Sequence, residues 1–306
     1  MAGLNVSALA DFNNEVAGKV VAKMVFEGYS TSILPIQEGI KFQEPLNIFD
    51  TTVVVQSGSS CAETAQGNFT ATQRNITVQP RISFDGLCLD TLNPKYLGVS
   101  SLDRGSYNET FELASVYTDQ IVNQMKKLDD AWLWGDRSGS AYEGLGFLTS
   151  GTNPGVVVPS DATGSFTSTN ALTKIDALIE NIPSDVADRD DFTVWMSTAN
   201  FRKYIVALRN ANNYYFDMNA ADVRTGVLQS VYPFAPGIKV VGTSGISGNR
   251  VALMPDAYAV VGTDLISDVD NYQLWYDINS DQLKHRLKHK LGVQVAFPEY
   301  IISNNG

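Results

Sequence analysis

Charged side chains are scarce in this chain: only 18% of its 306 residues are charged, against roughly 25% in an average soluble protein. They are also unbalanced, because 22 lysines and arginines stand against 33 aspartates and glutamates, a formal net charge of −11. A chain this acidic repels phosphate unless its charges are segregated, which excludes a dedicated nucleic-acid binder of the basic type. Hydrophobic residues make up 44%, which excludes intrinsic disorder and predicts a sizeable core. A soluble chain with so few charged residues is predicted to have much of its surface in contact with other protein chains.

Cysteine and histidine are rare too, at two residues each: Cys61, Cys88, His285 and His289. The cysteines form no CxxC pair, so we expect reduced thiols. Two histidines leave few options for a Ser/His/Asp or Cys/His mechanism, and no Gly-x-Ser-x-Gly is present. On a strand, His285 and His289 would lie about 13 Å apart, with no third ligand nearby. We therefore expect no catalytic residue, no metal site and no cofactor.

Targeting sequences are also missing. No basic region followed by an apolar one opens the sequence, so no secretory signal is expected. No stretch of about 18 apolar residues occurs, so no membrane span is expected. The second residue is Ala2 rather than glycine, which excludes N-myristoylation.

Three polar segments allow a chemical interpretation beside a structural one. Gly135–Ser140 superficially resembles a phosphate loop, but the lysine of GxxxxGK[ST] is absent, which favours a tight turn after a helix. The pair Asp129–Asp130 and the run Asp188–Asp191 offer carboxylates to a divalent cation. Such groups are more often solvated faces or helix caps. A metal-dependent α+β hydrolase is therefore the less favoured alternative.

The first 90 residues are predicted to contain little core of their own. Apolar residues at helical spacing predict a short amphipathic helix within 7–28, and residues 29–50 are expected to form an extended arm. Predicted strands at 51–55 and 75–84 flank a small, polar stretch typical of the tip of a long hairpin. Because an isolated two-stranded hairpin is marginal in water, we expect this one to lie on another chain.

The strongest helix is predicted over residues 108–134, about 40 Å long. Its expected buried face comprises Phe111, Ala114, Val116, Thr118, Ile121, Val122, Met125, Leu128 and Trp132. After a Gly/Pro/Ser/Thr-rich connector at 150–166, a second helix presents Leu172, Ile175, Leu178 and Ile179. A buried strand at 192–196 then leads into a helix capped by Ser197 or Thr198. Strands expected at 237–241, 250–254 and 257–262 complete a mixed α+β pattern.

Cationic and apolar residues alternate near the C-terminus. On a strand, one face would carry the basic stripe, Lys284, Arg286, Lys288 and Lys290, and the other face Leu283, His285, Leu287, His289 and Leu291. The stripe is open to contact with nucleic acid or to pairing with acidic residues on a neighbouring strand or subunit. With 33 acidic residues available, charge pairing is favoured, and a lumen-facing stripe is the alternative. A further strand is expected at 292–302.

The ordered set of elements resembles the major capsid (coat) protein of tailed phages, in the Hong Kong 97-type capsid fold family. Trp134-Gly135-Asp136 is similar to the turn that ends the family's spine helix, and Gly144-Leu145-Gly146-Phe147-Leu148 to the glycine-containing stretch after it. The strand at 192–196 with its helix resembles the centre of the family's axial domain, and 286–298 its closing segment. The resemblance covers nearly the whole chain from about residue 30, and it rests on the order of the elements rather than on one motif.

The resemblance implies a Hong Kong 97-like fold in four parts. These are an N-terminal arm (1–50), an extended loop or long β-hairpin (51–86), a peripheral domain (87–150 and 263–292) with the spine helix at 108–134, and an axial domain (151–262 and 293–306). The extended loop would lie across a neighbouring subunit. Its expected contact residues are Val53, Val55, Glu63, Asn68, Phe69, Arg74 and Ile76.

The resemblance further implies a structural protein and not an enzyme. Copies would assemble through hexamers and pentamers into an icosahedral virion shell enclosing the double-stranded DNA of a tailed phage. Assembly would take place in the host cytoplasm with separate scaffolding and portal proteins, decoration proteins, weak non-specific contact to DNA and no membrane. An encapsulin-type nanocompartment shell is the alternative. Because no lysine lies between Lys41 and Lys95, the lysine–asparagine crosslink of some family members is not expected.

Overall fold

The computed structural model describes residues 29–55, 67–88, 111–139, 142–211, 228–235, 237–264, 272–277, 279–280 and 282–304. Its strands are β1 (Ile36–Gln37), β2 (Gln43–Val53), β3 (Gly67–Thr77), β4 (Gln79–Cys88), β5 (Phe192–Ser197), β6 (Leu228–Val231), β7 (Lys239–Thr243), β8 (Val251–Pro255), β9 (Ala259–Thr263), β10 (Tyr272–Asp277), β11 (Gln282–Val295) and β12 (Ile302–Ser303). Its α-helices are α1 (Phe111–Leu133), α2 (Leu145–Leu148), α3 (Ala171–Glu180) and α4 (Thr198–Asn210). None of these helices is long and apolar enough to cross a membrane. The helix predicted within 7–28 lies outside the described residues.

Strands β2 and β3 form a two-stranded antiparallel ribbon, in register from Gln43 opposite Thr77 to Val53 opposite Gly67. The hairpin therefore begins earlier than predicted, inside the expected arm. The predicted strand 75–84 is divided at Val78, because β3 ends before it and β4 joins another sheet after it. The sequence shows no turn there because the backbone stays extended while it changes sheets.

Sheet A contains β1, β9, β11, β10 and β4. Its central strand β11 pairs with β4 and β10 along its first part and with β9 along its last part. The sequence predicted two strands here, but β11 runs unbroken for 14 residues. Gly292 does not interrupt it. The glycine is needed because a Cβ there would lie 2.3 Å from the carbonyl oxygen of Thr77, where the base of the ribbon crosses.

Helix α1 contacts β11 and covers one face of sheet A, called here the inner face; the opposite face is the outer face. At about 1.5 Å per residue its 23 residues extend about 35 Å. Its described buried residues are Thr118, Ile121, Val122, Met125, Asp129, Asp130 and Leu133. The predicted face was partly wrong: Leu128 is 53% exposed and Trp132 only partly buried. The side chains of Phe111, Ala114 and Val116 lie outside the described part.

Sheet B has the order β12-β8-β5-β7-β6 and is buried on both faces. On one side, Val194 and Met196 of β5 pack with residues of α3 and α4, and Ser197 caps α4 by accepting a hydrogen bond from Asn200 N at 3.2 Å. On the other side, Trp195 packs in a core that includes Trp134 and Val293. The predicted buried strand and capped helix are confirmed. This second core joins the end of α1, sheet B and sheet A.

Candidate subunit interface

One face of the ribbon is exposed and carries no charge. In an antiparallel pair, opposite residues share a face and alternate along each strand. The register therefore places twelve residues on one side, called here the hairpin face: Gln43, Pro45, Asn47, Phe49, Thr51, Val53, Gly67, Phe69, Ala71, Gln73, Asn75 and Thr77. Phe49 and Phe69 are 61% and 64% exposed and stack with ring centroids 5.6 Å apart, and Val53 is 77% exposed. Phe49, Val53 and Phe69 thus form an exposed apolar cluster on an otherwise polar face, which makes this face a candidate contact surface.

The predicted contact residues divide between exposed and interior positions. Val53 and Phe69 lie on the hairpin face, and Val55 and Asn68 are also exposed. Arg74 is half-buried and lines a polar depression of about 330 Å³ at the base of the ribbon. Glu63 lies outside the described residues.

Ile76 was wrongly predicted to be one of these contact residues. Its side chain is 0% exposed and packs with Ile40 and Val78 in a small core under the ribbon. A group buried within its own chain cannot touch a neighbour, so its apolar character serves the base of the hairpin. Gly262 permits this packing, since a Cβ there would lie 2.7 Å from the Ile76 side chain.

The basic stripe lies on the outer face of sheet A. Its two end residues are paired: Lys284 Nζ lies 2.5 Å from Asp277 Oδ2, and Lys290 Nζ 2.6 Å from Asp264 Oδ2. The Lys284 ammonium lowers the pKa of Asp277 to about 2. Within the described residues Arg286 and Lys288 make no ion pair.

The inner face of β11 carries both histidines, which are buried between sheet A and α1. His285 Nε2 lies 3.1 Å from Ser83 Oγ, and burial lowers its pKa. His289 Nε2 lies 3.0 Å from Asp129 Oδ2. Arg81 Nη1 reaches the other oxygen of that carboxylate at 2.8 Å. These are structural contacts, and no group of three or more potential metal ligands occurs among the described residues.

Asp130, the neighbour of Asp129, is 2% exposed and faces sheet B instead. Its carboxylate accepts hydrogen bonds from Ser30 N at 3.1 Å and Gly245 N at 3.0 Å, and also from the hydroxyls of Ser30 and Thr243. Burial raises the pKa of Asp130, and these hydrogen bonds oppose the shift. The expectation of a solvated face or cap is thus wrong for this pair. Consecutive residues of a helix point about 100° apart. Asp129 therefore contacts sheet A while Asp130 contacts sheet B, so one turn of α1 is bound to both sheets.

The acidic run at 188–191 differs from that pair. Arg189 Nε donates to Asp191 Oδ1 at 2.8 Å on the exposed surface, and its guanidinium lies 4.6 Å from the ring centroid of Tyr258. The Arg189 hydrogen bond lowers the pKa of Asp191. This run is the solvated, self-paired face that the sequence favoured.

The two glycine-containing segments that carried the family resemblance pack directly together. A Cβ at Gly144 would lie 2.1 Å from the carbonyl oxygen of Gly135, and one at Gly146 would lie 2.4 Å from that of Trp134. Asp136 pairs with Arg250, the residue just before β8 of sheet B. The turn after α1 falls at Trp134, residues 135–138 are irregular and Gly139 is a bend, so the tight turn predicted over 135–140 is not confirmed in the described part of that segment.

No protein-family model and no curated protein matches the sequence. Solved structures match over nearly the whole chain. The capsid of an empty GTA particle aligns with a TM-score of 0.57 at 11% identity, covering 92% of this chain and 89% of that chain. The procapsid of satellite phage P4, including the size determination (Sid) protein, gives 0.57 at 10% identity over 98% and 97%. A virus-like particle from Pyrococcus furiosus gives 0.53 at 10% identity over 94% and 98%. The chain therefore has the Hong Kong 97-type capsid fold that the order of its elements predicted.

Proposed function

We propose that this chain is the major capsid protein of a tailed phage, assembling through hexamers and pentamers into an icosahedral shell around double-stranded DNA. The observation that carries the proposal is the hairpin face, because it is uncharged and its apolar side chains Phe49, Val53 and Phe69 are left uncovered by their own chain. Capsid structures with the same fold support it.

The energetics suit assembly from many weak contacts. Covering a phenylalanine is worth about 1.5–3 kcal/mol, so Phe49 and Phe69 together supply only part of what a stable pairwise complex needs. Repetition around closed symmetry multiplies such contacts without requiring any one of them to be strong. The chain acts structurally rather than as an enzyme.

The proposal places the chain in the virion after assembly in the host cytoplasm. Separate scaffolding and portal proteins, and decoration proteins on the finished shell, are its expected partners besides copies of itself. The four-part division into arm, extended loop, peripheral domain and axial domain belongs to the same proposal. Its boundary at 292/293 falls inside β11, so the two domains would share that strand.

An encapsulin-type nanocompartment shell is the second candidate. The observation that favours it is the virus-like particle from Pyrococcus furiosus, which aligns over 94% of this chain. The contents of native particles separate the two. Nuclease-protected DNA indicates a phage capsid, and packaged enzyme without DNA indicates a nanocompartment.

The test is electron microscopy with light scattering on native particles and on the concentrated purified protein, comparing wild type with Phe49→Asp/Phe69→Asp. We expect closed shells, hexamers or pentamers from the wild type and loss of assembly in the variant. Phe49→Leu/Phe69→Leu is the matched control, because it keeps the face apolar. A wild type that stays a 33.3 kDa monomer in both samples contradicts the proposal. Normal assembly of the aspartate variant would also refute the role of the hairpin face.

A further inference from the structure

Both histidines of this chain lie in the same buried contact. The 306 residues include only His285 and His289, and both stand on the inner face of β11, which α1 covers. They are 3% and 5% exposed. Histidine is the side chain whose ordinary pKa places its change of charge between about pH 5 and pH 8. The contact between α1 and the inner face of sheet A, called here the α1 seam, therefore contains every histidine of the chain.

Few charged groups surround these two imidazoles. On β4 the register places Arg81 directly opposite His289 and Asp85 opposite His285, and β10 presents a leucine opposite His285. From α1, Asp129 reaches His289. Apart from the aspartate that faces sheet B, the other charged side chains described on α1 are exposed or half-buried: Asp119, Lys126 and Lys127. Within the described residues, Arg81, Asp85 and Asp129 are thus the charged groups that face the histidines.

The contact of α1 with sheet B has a different chemistry. It contains no histidine, and its buried carboxylate, Asp130, accepts hydrogen bonds from two backbone N–H groups and two hydroxyls. Burial raises the pKa of Asp130, so its contribution to stability does not fall as the solution becomes acidic. Burial lowers the pKa of His285, although Asp85 opposes the shift, so the stability that His285 contributes is lost below about pH 6.5. Acid therefore weakens the α1 seam and spares the contact with sheet B.

We infer that the α1 seam is an acid-sensitive switch within the chain, which separates α1 from sheet A on acidification while α1 stays bound to sheet B. The inference concerns a movement inside a single subunit and goes beyond the proposed function. His285 is the titrating group, because its Nε2 lies 3.1 Å from the neutral hydroxyl of Ser83, which cannot compensate an added charge in the interior. His289 lies beside the Asp129 carboxylate instead, and this pair holds the closed seam together.

The size of the response follows from proton linkage. Burial keeps His285 neutral in the closed seam, whereas an imidazole that reaches water has its ordinary pKa of about 6.5. Between about pH 7.5 and about pH 5.5, protonation of that one group raises the ratio of open to closed molecules about tenfold. Local opening of this kind exposes the amides of the released element to exchange with solvent.

Hydrogen–deuterium exchange with mass spectrometry on the full-length chain tests the switch. Exchange is expressed as protection factors, so that the pH dependence of intrinsic exchange is removed. We expect the protection of α1 (Phe111–Leu133) to fall about tenfold between the two pH values, while β5 (Phe192–Ser197) of sheet B keeps its protection. His285→Gln should abolish the change in α1. His289→Gln is the matched control and should keep the change, because glutamine can still donate a hydrogen bond to Asp129.

Three results would overturn the inference. Protection of α1 that does not change with pH in the wild type shows that the seam does not respond to acid. An equal loss of protection in α1 and β5 shows global unfolding rather than local opening. A response that survives in His285→Gln and disappears in His289→Gln assigns the titration to the wrong histidine. His285→Leu, an apolar replacement that needs no hydrogen-bonding partner, takes the place of the glutamine variant where that variant does not fold.

Discussion

Replacing Asp130 with alanine tests how much of the fold depends on a single buried carboxylate. This side chain joins the last turn of α1 to Ser30 and to Gly245, which lie 100 and 115 residues away in sequence. The substitution removes the acceptor for two backbone N–H groups and two hydroxyls. The hydroxyls can turn to other acceptors, and Gly245 N–H also donates to Thr243 Oγ1 at 3.1 Å, so the N–H of Ser30 is the group that loses most.

The expected loss in the free energy of unfolding follows from the hydrogen bonds that the carboxylate no longer accepts. Leaving a buried donor unsatisfied costs about 1–3 kcal/mol, and part of this is returned because a carboxylate no longer has to be desolvated. We expect the free energy of unfolding to fall by about 3 kcal/mol, because hydrogen bonds to a charged group contribute about 1.5–3 kcal/mol each. Asp136→Ala is the matched control. Its side chain is 61% exposed, so losing its ion pair with Arg250 should cost at most about 1 kcal/mol.

Urea unfolding of the unassembled chain, followed by tryptophan fluorescence, measures both variants. Trp134 is a local reporter because its Nε1 donates to Ser30 Oγ at 2.7 Å. Asp130→Asn keeps the shape of the side chain but turns an amide donor toward other donors. The free energy of unfolding of this variant should therefore lie between those of Asp130→Ala and the wild type. If the free energy of unfolding of Asp130→Ala lies within about 1 kcal/mol of that of the Asp136→Ala control, the Asp130 carboxylate does not stabilise the contact between α1, Ser30 and Gly245 as argued.

Three smaller predictions follow from single contacts. Gly144→Ala should lower the melting temperature sharply in calorimetry, because its Cβ would lie 2.1 Å from the Gly135 carbonyl oxygen; an unchanged melting temperature would contradict this close approach. Burial lowers the pKa of His285, so stability should fall as the pH drops below about 6.5, and His285→Gln should flatten that slope in pH-dependent unfolding. Burial raises the pKa of Asp256 to about 6, so its contribution to stability is present near pH 4 and lost as the pH rises toward 6. Asp256→Asn should remove that dependence, and an unchanged pH profile would count against the buried position.

Local pattern predicted some elements well. Strand β5 is a mostly apolar run that ends at Ser197, the cap of α4, so both the strand and the helix cap could be found from neighbouring positions alone. The alternation along β11 likewise predicted that His285 and His289 share a face with leucines, and both are buried there. In each case the information lies within a few residues of the element.

Long-range contacts could not be found in that way. The roles of Asp129 and Asp130 depend on Arg81, Ser30 and Gly245, which only the folded chain brings together. The arm expected over residues 29–50 includes Pro45, yet this proline lies in β2, where a two-stranded ribbon leaves one edge free of hydrogen-bonding partners and tolerates proline. Ile76 looked like a surface residue of a hairpin because the sequence does not reveal which end of a ribbon meets the core.

Only Val78 separates strand β3 of the ribbon from strand β4 of sheet A, and it is 1% exposed and held by a hydrogen bond from its N–H to Phe42 O at 2.9 Å. The ribbon is therefore a lever whose fulcrum is the small core of Ile40, Ile76 and Val78 at its base. With an arm of about 36 Å, a rotation of about 10° at the fulcrum displaces the tip by about 6 Å. Small tilts of sheet A are thus magnified at the far end of the hairpin, by nearly the spacing of two residues along a strand.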